Sequence, residues 1–317
     1  MASEKQQKGI GRKILLIFLS VGFAAVAALA VISALQSSSA LRESAENQLE
    51  SIRTIKATQI TNYFRGAKTD TMVIANTGDV RDAVRQFVLY HNEMNIGAEE
   101  EYDTSGTGSD LTRTWEEIYA DVDAKLSIYT DEMGYYDVFI ICHPHGHVMY
   151  SHAREADLGT NLVTGRFRDS GLAEVWRLAR ESNEPVLVDM RPYAPSDNEP
   201  AMFAGQLLRN TDGSAAAVIA VQVSNDQINE IMQERTGLGE TGETYLVGED
   251  LRMRSDSFLD PLNHSVMASL NGTVEQNGVD TEAVRSALQG TEDTRVITDY
   301  TGNPVLSSWS RVDLGDF

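Results

Sequence analysis

An apolar stretch without a charged side chain, residues 14–35, constrains this chain more than any other feature. A helix that rises 1.5 Å per residue crosses a hydrocarbon core of about 30 Å with such a length. One acid, Glu4, and four basic residues precede the stretch: Lys5, Lys8, Arg12 and Lys13. This bias keeps residues 1–13 in the cytoplasm and exports the rest. The sequence therefore predicts a transmembrane helix over residues 14–35, with the bulk of the chain outside the cytoplasm.

A cleaved signal peptide is the alternative, because AVAALA offers small-residue cleavage steps. The apolar run is longer than the usual signal-peptide core, and a helical pattern continues directly out of it. We therefore favour an uncleaved anchor. No second span follows in the sequence, so residues 36–317 are expected on one side of the membrane.

Composition narrows the classes of partner. The formal net charge is −21, and only three lysines lie beyond the N-terminal tail: Lys56, Lys68 and Lys125. This excludes the basic footprint of a nucleic-acid-binding protein. Cys142 is the single cysteine, so the exported part folds without an internal disulfide and needs a hydrophobic core, which the 42% hydrophobic content supplies.

Residues 36–90 follow a helical period, with Gly66 as the one soft spot before Gly78. Apolar side chains recur at spacings near three and four: Leu41, Ala45, Leu49, Ile52, Ile55, Ile60 and Phe64. A long helix leaving the membrane can pair with a second copy or pack only on its own domain. We expect a mixture, with a homodimer seam along its lower part.

Beyond an acidic loop at residues 92–110 and a helix at 111–133, the period changes to that of short strands. Five apolar candidates are separated by turn residues: residues 135–142, 148–152, 185–191, 201–208 and 215–223. A helix is predicted between the second and third, over residues 171–182. The second half offers a strand pair at 244–248 and 252–255, a helix at 281–288, and strands at 295–300 and 304–311.

Two stretches carry a resemblance to a known family. GLGETGETYLVGEDLRMRSDS, from Gly237, resembles the start of the membrane-proximal module of methyl-accepting chemotaxis proteins. RPYAPSDNEPAMF, from Arg191, is similar to the long hairpin of the distal module in the same group. The chain is thus identified as similar to the double Cache sensor domain of bacterial receptors, as an N-terminal fragment that stops one strand short.

The resemblance implies an α+β fold: one N-terminal transmembrane helix, a long stalk helix and two tandem PAS-like/Cache antiparallel-sheet modules. The expected divisions are a cytoplasmic tail (1–13), the membrane helix (14–35), the stalk helix (36–90), the membrane-distal module (91–235) and the truncated membrane-proximal module (236–317). It also implies a receptor in the bacterial inner membrane, with its bulk in the periplasm. There the distal module would bind a small molecule and signal to a cytoplasmic kinase pathway. Histidine kinases and nucleotide cyclases use the same sensor, so that output remains open.

Polar side chains inside apolar strands are candidates for ligand contacts. Asp189, Gln206 and Gln222 each interrupt such a strand, and burial without a partner would cost free energy. The alternative is that each is satisfied by neighbouring protein groups.

Arg166, Arg168 and Asp169 precede the helix at 171–182, where a helix N-terminus and two arginines could hold an anion. Amino-acid-sensing members of the family carry an arginine followed by a Trp-Tyr pair near this point, and an aspartate in the last distal strand. Here Arg168 matches the arginine, but Ser170–Gly171 replaces the pair and Gln222 lies near the aspartate position. A carboxylate, or another small polar metabolite without an ammonium group, is therefore the ligand that we expect. Tyr136, Tyr193, Ser196 and Met202 are further candidates for the pocket wall.

Four histidines fall in CHPHGHVMYSH: His143, His145, His147 and His152. Imidazole and thiolate bind zinc, copper and nickel, but this spacing matches no metal motif, so no metal site is predicted. No nucleophile motif, HExxH, P-loop or dinucleotide fingerprint is present. We accordingly expect no enzymatic activity and no cofactor.

Overall fold

The computed structural model describes residues 2–106 and 111–314, with the backbone alone for residues 2–14. Part of the predicted acidic loop (107–110) and the last three residues therefore lie outside the described residues. Helix α1 spans Ala2–Asn76 and passes Gly66 without a break. Its first part, from Leu15, is apolar and unburied, and it is long enough to cross a membrane.

The period of residues 36–90 predicted a single stalk helix up to residue 90, but the structure has two helices there. The stalk breaks at Thr77, and α2 (Gly78–Glu93) starts anew. The physical reason is a cap: Thr77 is extended, and its side chain accepts a hydrogen bond from the backbone N–H of Val80 at 3.4 Å. Helix α3 (Trp115–Leu126) begins with a capping box between Thr114 and Glu117, and the short α4 (Ile128–Asp131) follows.

The five strand candidates of the first half form one antiparallel sheet in the order β2-β1-β5-β4-β3. The strands are β1 (Asp137–Cys142), β2 (Val148–Ser151), β3 (Val186–Tyr193), β4 (Glu199–Arg209) and β5 (Ala215–Val223). Helix α5 (Gly171–Glu181) lies between β2 and β3 in the chain, as predicted. Because successive side chains point to opposite faces, this sheet has two buried sides.

One face of the five-stranded sheet packs on α1, α2 and α3, and the other packs on α5 and on residues 152–170. The second face is closely packed because Gly205 of β4 has no side chain. A Cβ there would come within 2.8 Å of Val175 Cγ2 on α5. Gly171, at the start of α5, similarly allows Phe203 to approach.

The second half is less regular. It contains α6 (Asn225–Gln233), α7 (Val266–Asn271), α8 (Val274–Asn277), α9 (Glu282–Leu288), β6 (Asp293–Thr298) and β7 (Pro304–Trp309). Strands β6 and β7 form a two-stranded antiparallel sheet around the predicted turn. The strand pair expected at 244–248 and 252–255 is reduced to one bridge between Val247 and Met253.

Candidate functional site

A group of buried polar residues lies on the α5 side of the five-stranded sheet. Asp137 begins β1 and is fully buried. Its Oδ1 accepts hydrogen bonds from the backbone N–H groups of Val138, His152 and Ala153, and its Oδ2 accepts one from Ser151 Oγ at 2.6 Å. Burial raises the pKa of this carboxyl to about 8, and the accepted hydrogen bonds oppose the rise. Asp137 thus joins β1, β2 and the chain that leaves β2.

Asp157 lies next to this carboxyl in the segment between β2 and α5. One of its oxygens, Oδ2, accepts a hydrogen bond from the hydroxyl of Tyr193, which is itself buried on β3. The other oxygen, Oδ1, is buried without a hydrogen-bond partner. Burial raises the pKa of Asp157 to about 6, while the Tyr193 hydroxyl lowers it. Only one of the two carboxyl oxygens of Asp157 therefore has a hydrogen-bond donor.

A third carboxylate, Glu155, lies toward the surface. It accepts hydrogen bonds from the hydroxyl of Tyr136 at 2.6 Å and from Ser196 Oγ at 2.5 Å. Tyr136 is 48% exposed, whereas Ser196 is buried. The negative charge of Glu155 contributes to the raised pKa values of Asp157 and Tyr193, which places these groups close together. Glu155 thus joins the exposed Tyr136 to the buried Ser196, and its charge acts on Asp157.

Gln222 completes the group on the neighbouring strand. On β5 it pairs in register with Asp137 of β1 on one side and Phe203 of β4 on the other. Its side chain is buried, and its Oε1 has no hydrogen-bond partner. The α5 side of the sheet therefore holds two buried oxygen acceptors without donors, Gln222 Oε1 and Asp157 Oδ1.

The structure brings together four of the ten residues singled out in the sequence: Tyr136, Tyr193, Ser196 and Gln222. It adds four that sequence reasoning missed: Asp137, Ser151, Glu155 and Asp157. Asp137 could have been found, because it interrupts an apolar strand in YYDVFIIC just as Asp189 interrupts VLVDMR. Glu155 and Asp157 lie in a loop, and no periodic pattern marks them.

The predicted anion site before α5 is not assembled. Arg166 donates to the carbonyl of Ala156 at 2.6 Å and lies against the ring of Phe167. Arg168 is 57% exposed and faces Asp169, itself 90% exposed, at 3.6 Å. These three residues lie at the surface, and their role in binding stays a prediction.

Gln206, Asp189 and Met202 lie elsewhere. Gln206 is on the opposite face of β4, toward α1, where its Oε1 also lacks a partner. Asp189 and Met202 line a cavity of about 500 Å³ between α1 and the second half of the chain. There Asp189 forms a two-pronged ion pair with Arg254, at 2.9 and 2.7 Å. Asp189 is therefore held by a protein partner, the alternative that the sequence left open.

Comparison with models of protein families gave no match, and comparison with curated protein sequences gave none either. Solved structures do match. The ligand-binding domain of the Campylobacter jejuni chemoreceptor Tlp3, in complex with L-valine, has a TM-score of 0.51 and 12% identity, over 87% of this chain and 92% of that chain. The sensory domain of the same receptor in another crystal structure has a TM-score of 0.50, 10% identity and the same coverage.

A third match comes from a different bacterium. The ligand-binding domain of the Pseudomonas aeruginosa PAO1 amino acid chemoreceptor PctC, in complex with GABA, has a TM-score of 0.50 and 12% identity, over 85% of this chain and 93% of that chain. Identities this low establish the fold alone. They confirm the α+β fold class, and this chain has the fold of a chemoreceptor sensory domain, as its resemblance to a double Cache domain predicted.

Proposed function

We propose that this chain is the extracytoplasmic, ligand-sensing part of a transmembrane chemoreceptor, and that it binds a small molecule on the α5 side of its five-stranded sheet. One observation carries the proposal: Asp157 Oδ1 and Gln222 Oε1 are buried there without donors. Buried acceptors without a partner are costly, and they are kept where a ligand or an ordered water supplies the donor.

The chemistry of this layer favours a ligand with a positively charged amine. Asp137, Glu155 and Asp157 contribute three carboxyl groups, and within the described part of the chain no arginine or lysine forms an ion pair with them. An ammonium group has three donors and would neutralise the ionised forms of these acids. This differs from the carboxylate expected from Arg168. The matched domains were solved with L-valine and GABA, both of which carry an amine.

Entry of such a ligand requires the surface contacts of Glu155 to open. Tyr136 and Ser196 both donate hydrogen bonds to Glu155. A ligand amine that reaches Glu155 would compete with them for this carboxylate. Rearrangement of these hydrogen bonds gives the ligand different affinities for two conformations, which is the requirement for a signal.

Helix α1 is the element that would carry the signal. It contacts β4 and β5 in the first half, α6, β6 and β7 in the second, and continues into the apolar stretch from Leu15. We propose that this stretch anchors the chain in the inner membrane, with a homodimer along α1, where Leu41 and Ile55 are exposed. Sedimentation of the detergent-solubilised chain as a monomer would refute the dimer.

The output would be a cytoplasmic kinase pathway, as in chemotaxis; a histidine kinase or nucleotide cyclase output is the alternative. Sequencing the gene beyond this stretch would separate the two, since Glu/Gln/Ala-rich coiled-coil heptads would mark the first and a catalytic domain the second. The chain itself would be neither an enzyme nor a cofactor protein. Hydrolysis of generic ester, phosphate or glycoside substrates by the purified chain would contradict this.

The test is a thermal-shift screen of the whole chain in detergent against amino acids, primary amines and carboxylates, followed by calorimetry of each hit. A ligand at a hundred times its dissociation constant adds about 2.7 kcal/mol, which raises the melting temperature by about 5–10 °C. We expect amines among the hits. Asp157→Asn keeps an oxygen for Tyr193 and removes the charge, so it should weaken amine binding at least about tenfold.

The matched control is Asp169→Asn, the same change at an exposed carboxylate close to α5. It should leave the affinity unchanged. If Arg168→Ala abolishes binding and Asp157→Asn does not, the ligand is held through its carboxylate, and the ammonium site proposed here is wrong. If no compound in any class binds, the proposed ligand site fails as a whole.

A further inference from the structure

Three histidines from two distant parts of the sequence meet beside the β1–β2 turn. His91 lies near the end of α2, and His145 and His147 lie in the turn between β1 and β2. One ring nitrogen from each lies within 4.8 Å of the other two. The ring centroids of His91 are 5.6 Å from His145 and 5.2 Å from His147, and those of His145 and His147 are 5.5 Å apart.

A hydrogen bond to a backbone carbonyl indicates the tautomer of His147. Its Nε2 lies 3.0 Å from the backbone carbonyl of Glu100, which can only accept, so Nε2 carries the proton. In the neutral ring Nδ1 is then an unprotonated lone pair, and this atom is buried without a partner. A carbonyl that orients the far nitrogen is the arrangement in which histidine ligands are commonly held. The Nδ1 lone pair of His147 is thus available to a metal ion.

His91 presents a second unpaired nitrogen. Its side chain is 9% exposed, and its Nε2 also lies buried without a hydrogen-bond partner. His91 and His147 thus bring two buried ring nitrogens without hydrogen-bond partners to one cluster.

We propose that His91, His145 and His147 form a binding site for a zinc ion or a similar divalent transition metal. Three imidazole nitrogens are a common ligand set for zinc, and they leave a fourth position for water or another donor. Ligands at 2.0–2.1 Å from a tetrahedral zinc lie about 3.4 Å apart, so the rings must approach one another by about 1 Å or slightly more. His145 supplies that movement, because it is in a turn and only partly buried.

The spacing of the histidines in the sequence did not indicate this site, because His91 lies more than 50 residues before the turn. His152, in contrast, is held elsewhere: its Nδ1 lies 2.8 Å from Asp123 Oδ1. His143 shares the turn but is not one of the three clustered rings. Cys142 Sγ lies 4.0 Å from His145 Nδ1 and is not one of the three clustered ligand groups, so the site is assigned to the three imidazoles alone.

The site does not depend on the ligand proposed for the α5 side. It lies between α2 and the β1–β2 turn, and among the described residues no hydrogen bond, ion pair or ring contact joins its histidines to Asp157 or Gln222. A metal here would fasten α2 to the sheet through His91. Its most direct role is to set the position of α2 relative to the first hairpin of the sheet.

The experiment is calorimetric titration of the whole chain, stripped of metal in detergent, with zinc chloride alone, and with magnesium chloride for comparison. We expect one zinc ion per chain in the micromolar range or tighter and no binding of magnesium, which prefers oxygen ligands. His91→Gln and His145→Gln should each weaken zinc binding more than about 100-fold, because each removes a direct ligand. His143→Gln, in the same turn, should leave it unchanged.

Melting temperatures without metal separate loss of the site from loss of the fold. His145→Gln is the decisive variant because its side chain is partly exposed, so its metal-free melting temperature should equal that of the wild type. Zinc should raise the melting temperature of the wild type and of His143→Gln by several degrees, and leave His145→Gln unchanged. Equal zinc affinity in the wild type and in both cluster variants, or no heat at submillimolar zinc, would overturn the proposal.

Discussion

The two halves of the folded chain differ in how many of their buried polar atoms lack a hydrogen-bond partner. In the first half, around the five-stranded sheet, polar atoms without partners accumulate: His91 Nε2, His147 Nδ1, Asp157 Oδ1, Gln206 Oε1 and Gln222 Oε1. In the second half, residues 225–314, the described chain has two such atoms, Asn225 Oδ1 and Trp309 Nε1. The difference is one of chemistry, because the partly buried acids Glu243 and Asp256 of the second half have their hydrogen-bond partners within the protein.

Two acids show this pairing. Glu243 Oε2 accepts hydrogen bonds from Ser257 Oγ and from the backbone N–H of Phe258, and Oε1 accepts from Tyr300. Asp256 accepts from Asn229 Nδ2 at 2.9 Å and from the backbone N–H of Val266 at 2.7 Å. A satisfied acceptor has little to offer a ligand. The comparison therefore favours the first half as the binding half and the second as its structural support.

The prediction with the largest expected effect on stability tests the pairing of charged groups in the second half. Arg254 is buried, bonds to both oxygens of Asp189 on β3, and lies 3.0 Å from Asp250. Arg254→Met keeps most of the volume but leaves Asp189 without its ion-pair partner, and Asp250 with only Arg252 at 4.0 Å. Since both remain partly exposed, we expect a loss of about 3 kcal/mol in the free energy of unfolding, at the low end for a broken buried pair.

Urea unfolding of the whole chain in detergent measures this loss. The matched control is Arg311→Met, since Arg311 is 51% exposed and faces Glu249 at 3.6 Å. That change should alter stability by less than about 0.5 kcal/mol. A small effect of Arg254→Met would show that the ion pair between the halves is dispensable, and the contrast drawn above would fail.

The same contrast explains what the sequence could predict. The five strands of the first sheet were predicted to within a few residues, because most are continuous apolar runs buried on both faces, such as VFIIC in β1 and AAAVIAVQV in β5. The pair at 244–248 and 252–255 formed only a bridge, since TYLVG and RMRS are short and mixed in polarity. A strand that is buried on both faces shows in the sequence as a continuous apolar run, whereas a partly exposed strand does not.

The candidate site was predicted less well, for a different reason. A polar residue within an apolar strand stands out, and Gln222 was found in this way. Whether it meets a protein partner depends on residues far away in sequence, as Asp189 shows by pairing with Arg254. The three-histidine cluster likewise depends on how α2 docks on the sheet, which no local pattern records.

A smaller effect, on the first half, concerns the pH dependence of stability. The pKa of Asp157 rises from an ordinary 3.8 to about 6 on folding, mainly through burial. The folded state then holds this proton more tightly than the unfolded state. Stability is fully present below about pH 4 and is lost as the pH rises through about 6, by about 2–3 kcal/mol. Asp157→Asn should remove this part of the loss.

Urea unfolding at several pH values between 4 and 7 measures the difference between the wild type and Asp157→Asn. It should grow from pH 4 to 6 and then level off. Tyr193→Phe provides the opposing variant: it removes the hydroxyl that lowers the pKa of Asp157, so its pH-dependent loss should extend to higher pH. Parallel curves for all three proteins would mean that Asp157 is not buried as a costly acid, and that the first half resembles the second.

The smallest effect concerns how closely α5 covers the proposed ligand layer. In Gly205→Ala the new Cβ would lie within 2.8 Å of Val175 Cγ2, a buried side chain that cannot swing into solvent. Pushing α5 from β4 should cost about 1–2 kcal/mol. Gly66→Ala is the matched control: its Cβ meets nothing within 4 Å on α1, so better helix propensity should raise stability by about 0.5–1 kcal/mol. Urea unfolding measures both changes in stability, and changes of opposite sign would show that this single close approach sets how tightly α5 covers the ligand layer. If both variants were more stable than the wild type, α5 would move away from β4 easily. The layer would then be open to larger ligands than an amine of amino-acid size.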